Sequence, residues 1–241
     1  MFGIPDEYNI CRATDLKKFP LSHLKPAERK RFRGTLKELI LESVVKDDSI
    51  PSYVCDTDTV MAIQFFSAHV DSLRTAPFVC GILQRMIKTP CVITIRDERD
   101  ERHSFALKRL NLQDNNSVVV MDEFLTHPLP RGVAGTDDHL MHEFAGWDAI
   151  VNRTNLYSFY LEMTVKCYII THRDVWSGMQ NLLSSGVWYN TEDVMEMYRE
   201  VKQVVHLTEE RGKSLTVGDS ARLNGELKYS YDKLIEYIRQ L

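Results

Sequence analysis

Three short stretches hold residue types that could do chemistry. In "TDDHLMHEFAGWD", His139 and His142 stand at i, i+3 with Asp137, Asp138 and Glu143 close by. Two imidazoles and a carboxylate on one helix face can hold zinc or another divalent ion, which would make the chain a metal-dependent hydrolase or nuclease. The pattern is not H-E-x-x-H, and no general base accompanies it at a defined spacing. Asp137 or Asp138 is more simply the N-cap of the next helix, where acids also suit the macrodipole. His139, His142 and Glu143 are therefore weak metal candidates, and no cofactor is expected.

The second stretch is basic. From Lys17 to Lys37 the chain carries Lys17, Lys18, Lys25, Arg29, Lys30, Arg31, Arg33 and Lys37 against Glu28. Pro26 is suited to a helix start and Gly34 to its end. On such a helix Arg29 and Arg33 share a face at i, i+4, with Lys30 and Lys37 adjoining, while Phe32 and Leu36 face the core. A row of cations on a fixed element binds phosphates with salt-dependent, sequence-independent affinity. The competing reading is an ordinary solvated face. Lys25, Arg29, Lys30, Arg31, Arg33 and Lys37 are the candidate contacts to nucleic acid or an acidic partner.

The third stretch, "CVITIRDERDERHSFALKRLN", sets six charges, Asp97 to Arg102, between two alternating apolar runs. A catalytic carboxylate cluster needs like charges held together, whereas each acid here has an arginine nearby. The pattern predicts a hairpin with a solvated tip. Glu162 and Lys166 are the only acid and base within "LYSFYLEMTVKCYII". At i, i+4 with Glu first they form a favourable pair, and burial would demand that pairing.

Several motifs are missing. There is no G-x-x-x-x-G-K-[ST], G-x-G-x-x-G or G-x-S-x-G. The apolar strand "VMAIQFFSAHV" lacks the acid-x-Lys pattern of restriction-type metal nucleases. Asp56 and Asp58 precede it, but Gln64, Phe65 and Phe66 occupy the place where the chemistry would sit.

The elements that position these residues follow from periodicity. A helix from Pro26, strands at "KELILESVV" and "VMAIQFFSAHV", a helix over "RTAPFVCGILQRMIK", then the hairpin and "SVVVMDEFL" after the turn "QDNN" predict a mostly antiparallel sheet with flanking helices. "THPLPRGVAGTDD" should stop regular structure. Helices follow: one long or two broken near Asn152, then a Gly-punctuated stretch. The next is capped by Thr191, with Val194, Tyr198, Val201 and Val205 on one stripe. The last is capped by Thr216, with Leu223, Leu227, Leu234, Ile238 and Leu241 in a near-heptad seam that predicts an antiparallel pair. The fold class is α+β, with an α+β domain over 1–130 and an all-helical domain over 131–241.

Composition narrows the setting. The formal net charge of −4 is mild, so polyanion binding must come from a local patch. Five cysteines without a C-x-x-C pair suggest free thiols in a reducing cytoplasm. "MFGIPDEYNI" lacks the features of a signal peptide, and no membrane contact is expected.

Four phrases, "LKPAERKRFRGTLKEL", "SFALKRLN", "FYLEMTVKCYII" with "VWYN", and "SARLNGELKYSYDKL", together resemble bacterial domain-of-unknown-function family 4391 over nearly the whole chain. The resemblance implies a small cytoplasmic companion of helicases and DNA methyltransferases in restriction-modification-like or phage-defence clusters. It carries over no catalytic residue. The expectation is a non-catalytic accessory subunit that docks on a helicase or methyltransferase and contacts nucleic acid through the basic helix. The alternative is a metal-dependent hydrolase or nuclease built on residues 137–143. A homo-oligomer through the C-terminal helices is a third reading.

Overall fold

Strand-forming runs and the helices that cover them account for the first half of the chain. The computed structural model describes residues 2–239 except 18, 23, 56, 57, 112–117, 134, 214 and 215. Lys18, Asp56, the turn "QDNN" and Leu241 thus lie outside the described residues. Strand β1 (Asn9–Ala13) comes first, then helix α1 (Pro26–Thr35), β2 (Leu36–Lys46), the small hairpin β3 (Tyr53–Val54) and β4 (Thr59–Val60), and β5 (Ala62–Val70). Helix α2 (Ala76–Met86), β6 (Cys91–Arg96), β7 (Asp100–Leu110), β8 (Val118–Leu125) and β9 (Leu129–Pro130) complete this half.

The large sheet runs β1-β2-β5-β6-β7-β8, with β9 also paired to β7. Every pairing in it is antiparallel except β5 with β6, which run parallel. A parallel pair needs a crossover, and α2 supplies it. The class is α+β with a mixed, mostly antiparallel sheet. Besides the small hairpin β3–β4, two strands of the large sheet escaped the sequence pattern. β1 is exposed throughout, so it has no apolar alternation to betray it. β9 is a two-residue pairing inside the Pro- and Gly-rich stretch, where Glu101 faces Leu129 and Asp100 faces Pro130.

Helices cover both faces of the sheet. Phe66, Ala68 and Val70 of β5 and Ile93 and Ile95 of β6 pack with Phe32 of α1 and Val79 and Leu83 of α2. Ile63 and Phe65 of β5, Val92 of β6 and Phe105 and Leu107 of β7 face the other way, into the cluster that holds the C-terminal helices. Strands buried on both faces read as nearly continuous apolar runs, which explains "AIQFF" and "CVITI". Lys108 secures the end of α2's connection: its Nζ donates to the Ile87 and Thr89 carbonyls at 2.8 and 3.2 Å.

The helical half comprises α3 (Thr136–Ala145), α4 (Leu156–Thr171), α5 (Thr191–Lys213) and α6 (Val217–Arg239), with short 3-10 turns between α4 and α5. The break expected near Asn152 separates α3 from α4, and the Asn155 side chain caps α4 by accepting the Ser158 N–H. The cap of α5 is Asn190, not Thr191: its Oδ1 accepts the N–H groups of Glu192 and Asp193. Thr216 caps α6 as expected, its Oγ1 accepting the Asp219 N–H at 3.0 Å. α5 and α6 form an antiparallel pair in which Glu200 meets Lys233 and Arg211 meets Asn224. Among the described residues no helix is long and apolar enough to cross a membrane.

One side chain ties α4 to the sheet. β6 and β7 pair from Ile93–Ser104 to Arg96–Glu101, and beyond that the fully buried Tyr160 hydroxyl stands between them. It lies 3.0 Å from the carbonyls of both Cys91 and Ala106 and accepts the Ala106 N–H at 3.2 Å. A single hydroxyl thus replaces a rung of the ladder. Tyr160→Phe strands a buried N–H, and urea denaturation should show a loss of about 2–3 kcal/mol. A loss below about 0.5 kcal/mol would mean that the two strands close up without it.

Candidate functional site

Of the six basic candidates, three are committed to the fold. The Arg29 guanidinium turns back to the carbonyls of Ser22 and Leu24, at 3.4 and 3.2 Å. Arg31 lies 4.0 Å over the Phe78 ring at the start of α2, a cation–π contact that helps join the two helices. Lys37 pairs with Asp71 at 2.9 Å and donates to the Gly34 carbonyl. Lys25, Lys30 and Arg33 stand exposed. The helix itself is well begun, with Pro26 in the first turn and the Lys25 N–H donated to Glu28 at 3.1 Å. The exposed cations outside those contacts are therefore Lys30 and Arg33 at i, i+3, with Lys25 at the cap. The expected Arg29–Arg33 face does not form, because Arg29 satisfies local backbone.

The 137–143 cluster is dispersed. Asp137 is ion-paired with Arg173, and His139 and Glu143 meet 3.6 Å apart on an exposed face. Gly135, not an aspartate, holds the cap position of α3, while Asp137 and Asp138 sit in its first turn as the macrodipole favours. Among the described residues no group of three or more His, Cys, Asp or Glu side chains gathers as a metal site.

The charged hairpin is only partly a wet tip. Glu98 and Arg99 are exposed. Asp97 instead accepts the N–H groups of Asp100 and Arg99 on one oxygen and that of Leu73 on the other. Those hydrogen bonds, the one from Asp100 foremost, hold its carboxyl below the usual range. Arg102 reaches the Thr126 carbonyl at 2.6 Å.

Glu101 and His103 belong to something else. On β5, β6 and β7 the face toward α4 is apolar at Phe65, Val92 and Phe105, then turns polar at the same level on all three strands. Ser67 lies beside Thr94, and Thr94 beside His103; one row further out, His69, Arg96 and Glu101 follow in register. Glu42, the unpaired residue at a bulge in β2, accepts the Ser67 hydroxyl. Of these, Glu42, Ser67, Thr94, Arg96 and Glu101 line a cleft of about 320 Å³, with Phe2, Ile4 and Phe65 among its other walls. It opens at the carboxyl ends of the parallel pair β5 and β6, the end of such strands where ligands bind in open α/β sheets.

His103 is held beside Thr94 but does not itself line the cleft. It is fully buried, with Nδ1 3.0 Å from Thr94 Oγ1 and the Phe2 ring edge-on at 5.4 Å. Its Nε2 has no hydrogen-bond partner among the described residues, the nearest carboxylate being Glu101 at 3.8 Å. Burial drives its pKa down to about 3, so the ring is neutral. Burial also raises the Glu101 carboxyl. Sequence reading missed this cleft because each strand alone shows only a polar end. The signal lies in the register, where Ser67, Thr94 and His103 form one row.

Residues 2–234 match the family described as Domain of unknown function (DUF4391). The chain belongs to that family. No curated protein and no solved structure matches it.

Proposed function

We propose that the protein is a non-catalytic accessory subunit of a bacterial DNA-directed complex, of the restriction-modification or anti-phage kind. In this reading it docks on a helicase or DNA methyltransferase and contacts nucleic acid through α1. The supporting observation is the exposed cation set Lys25, Lys30 and Arg33 on a capped helix, in a chain whose formal net charge is −4. Local positive charge on a fixed element against an acidic background gives an oriented, non-specific phosphate contact. The five free thiols fit a reducing cytoplasm.

Fluorescence anisotropy with duplex and single-stranded oligonucleotides, across a salt series, tests the contact. The wild type should bind with an affinity that falls steeply with salt. Lys30→Glu with Arg33→Glu should weaken binding at low salt and reduce the slope of log K against log salt by about two. An unchanged slope removes α1 from the reading. Co-purification from the native cell tests the protein partner.

A further inference from the structure

Helix α2 adds a second set of cations to those of α1. From Lys25 to Thr35 and from Leu73 to Lys88 the chain holds eight Lys and Arg residues against a single acid, Glu28. Both helices cover the same face of the sheet, through Phe32 of α1 and Val79 and Leu83 of α2. Their outer sides form one basic layer, and Arg31, stacked 4.0 Å over Phe78, joins them. Arg74 precedes α2, and Arg85 and Lys88 mark its far end; all three are exposed, as are Lys30, Arg31 and Arg33. Among the described residues none of these six forms an ion pair. The bordering acids are mostly engaged. Glu28 accepts the Lys25 N–H, Asp71 holds Lys37 at 2.9 Å, and Asp97 accepts the N–H groups of Leu73, Arg99 and Asp100. At the hairpin tip the exposed Glu98 is matched by the exposed Arg99. Glu123, whose carboxylate lies beside Gly81, bounds the layer on the β8 side.

Unpaired cations fixed on packed helices suit a regular array of anions, since little order has to be created on binding. An acidic polypeptide would also look for an apolar centre in its interface. Among the described residues, none of the exposed large apolar side chains lies on α1 or α2. The eleven residues of α2 span about 16 Å, and its cations stand just before its start and at its end. A rigid surface of that breadth matches a duplex, whose two strands hold their phosphates in place. A single strand is held chiefly by bases stacked on open aromatic rings. The rings here are taken: Phe78 is covered by Arg31, and Phe32 is buried against Phe19. The exposed large aromatics among the described residues, Tyr189 and Tyr229, belong to the helical half. We infer that α1 and α2 together bind the phosphate backbone of duplex nucleic acid, with Lys30 and Arg33 on one row, Arg74, Arg85 and Lys88 on another, and Arg31 at their junction. This deepens the reading of α1 as a phosphate contact and rests on it.

Fluorescence anisotropy of the intact protein with a labelled duplex, and with either of its strands alone, tests the surface across a salt series. Six contacts should give a slope of log K against log salt of about −5 for the duplex. The single strands should bind more weakly at every salt concentration. Arg85→Glu with Lys88→Glu should reduce the slope by about two, as should the α1 pair Lys30→Glu with Arg33→Glu, and the four together by about four. Lys228→Glu with Arg239→Glu, an equal change of charge on α6, should leave it unchanged. Lysine acetylation of the wild type, read by mass spectrometry, needs no variant to fold. Saturating duplex should protect Lys88 along with Lys30 and leave Lys228 reactive. A slope lowered by the α1 pair but not by the α2 pair, or Lys88 acetylated as fast with duplex as without it, overturns the two-helix surface and leaves the α1 contact standing. A single strand bound more tightly than the duplex overturns it as well. Binding of neither removes both readings, and capture of polyglutamate in their place identifies an acidic polypeptide as the ligand.

Discussion

Replacing Lys166 by methionine should cost about 3–5 kcal/mol, the largest effect of any single substitution considered for this chain. Lys166 and Glu162 are 3% and 1% exposed, and their Nζ and Oε1 atoms are 2.5 Å apart. Lys166 also donates to the Ala149 carbonyl at 3.1 Å and lies 5.0 Å over the Trp188 ring. Glu162 accepts the N–H groups of Val151 and Asn152 at 3.1 and 2.8 Å. The pair therefore latches the segment between α3 and α4 onto the centre of the bundle. Burial lowers the Lys166 pKa and the Glu162 charge opposes that shift, so the ammonium depends on its partner. Without it, a carboxylate remains inside the protein with no counter-charge. Adding Glu162→Gln removes that charge yet keeps an oxygen for one backbone N–H, and should recover about 1–2 kcal/mol of the loss. Urea denaturation of the wild type, both single variants and the double variant reads the cycle. A Lys166→Met protein within about 1 kcal/mol of the wild type would mean that water reaches the site.

This pair was legible because two facts in sequence meet in it: a helix apolar on every side and two opposite charges at i, i+4. The same kind of local rule located α1 from Pro26 and the α6 cap from Thr216 with Asp219. The strands of the central sheet were visible as apolar runs, but their neighbours were not. Nothing in "VMAIQFFSAHV" or "CVITIR" says that the two run parallel, because that depends on where α2 returns the chain. Register is what converts Ser67, Thr94 and His103 from three unremarkable positions into one polar row. Side-chain commitments were equally hidden. Arg29 and Arg31 look like their neighbours in sequence, yet one caps backbone carbonyls and the other stacks on Phe78, so composition overstated the free charge on α1. β1 and β9 escaped for a simpler reason, since an exposed edge strand and a two-residue pairing carry no periodic signal.

His103 gives the protein its clearest expected dependence on pH. In the unfolded chain its imidazole has an ordinary pKa near 6.5, and in the fold burial lowers it to about 3. Between those values the unfolded state holds a proton that the folded state refuses, so stability falls as pH drops below 6.5. One fully differential proton is worth about 1.4 kcal/mol per pH unit, which is the upper limit of this residue's slope. Glu101, raised by burial, works in the opposite sense above pH 4.5, because its folded carboxyl ionises later than the unfolded one. The half-buried His172, also lowered by burial, adds to the His103 trend. Comparing the wild type with His103→Gln separates these contributions, since the variant retains the other two groups. Unfolding free energies from urea titrations at pH 7.5, 6.5, 5.5 and 5.0 should fall more steeply for the wild type, by about 1 kcal/mol or more over the series. Parallel curves would mean that the imidazole is protonated inside the fold, with Glu101 as its counter-ion, so that the ring beside Thr94 would be half of an ion pair instead of a neutral hydrogen-bonding group.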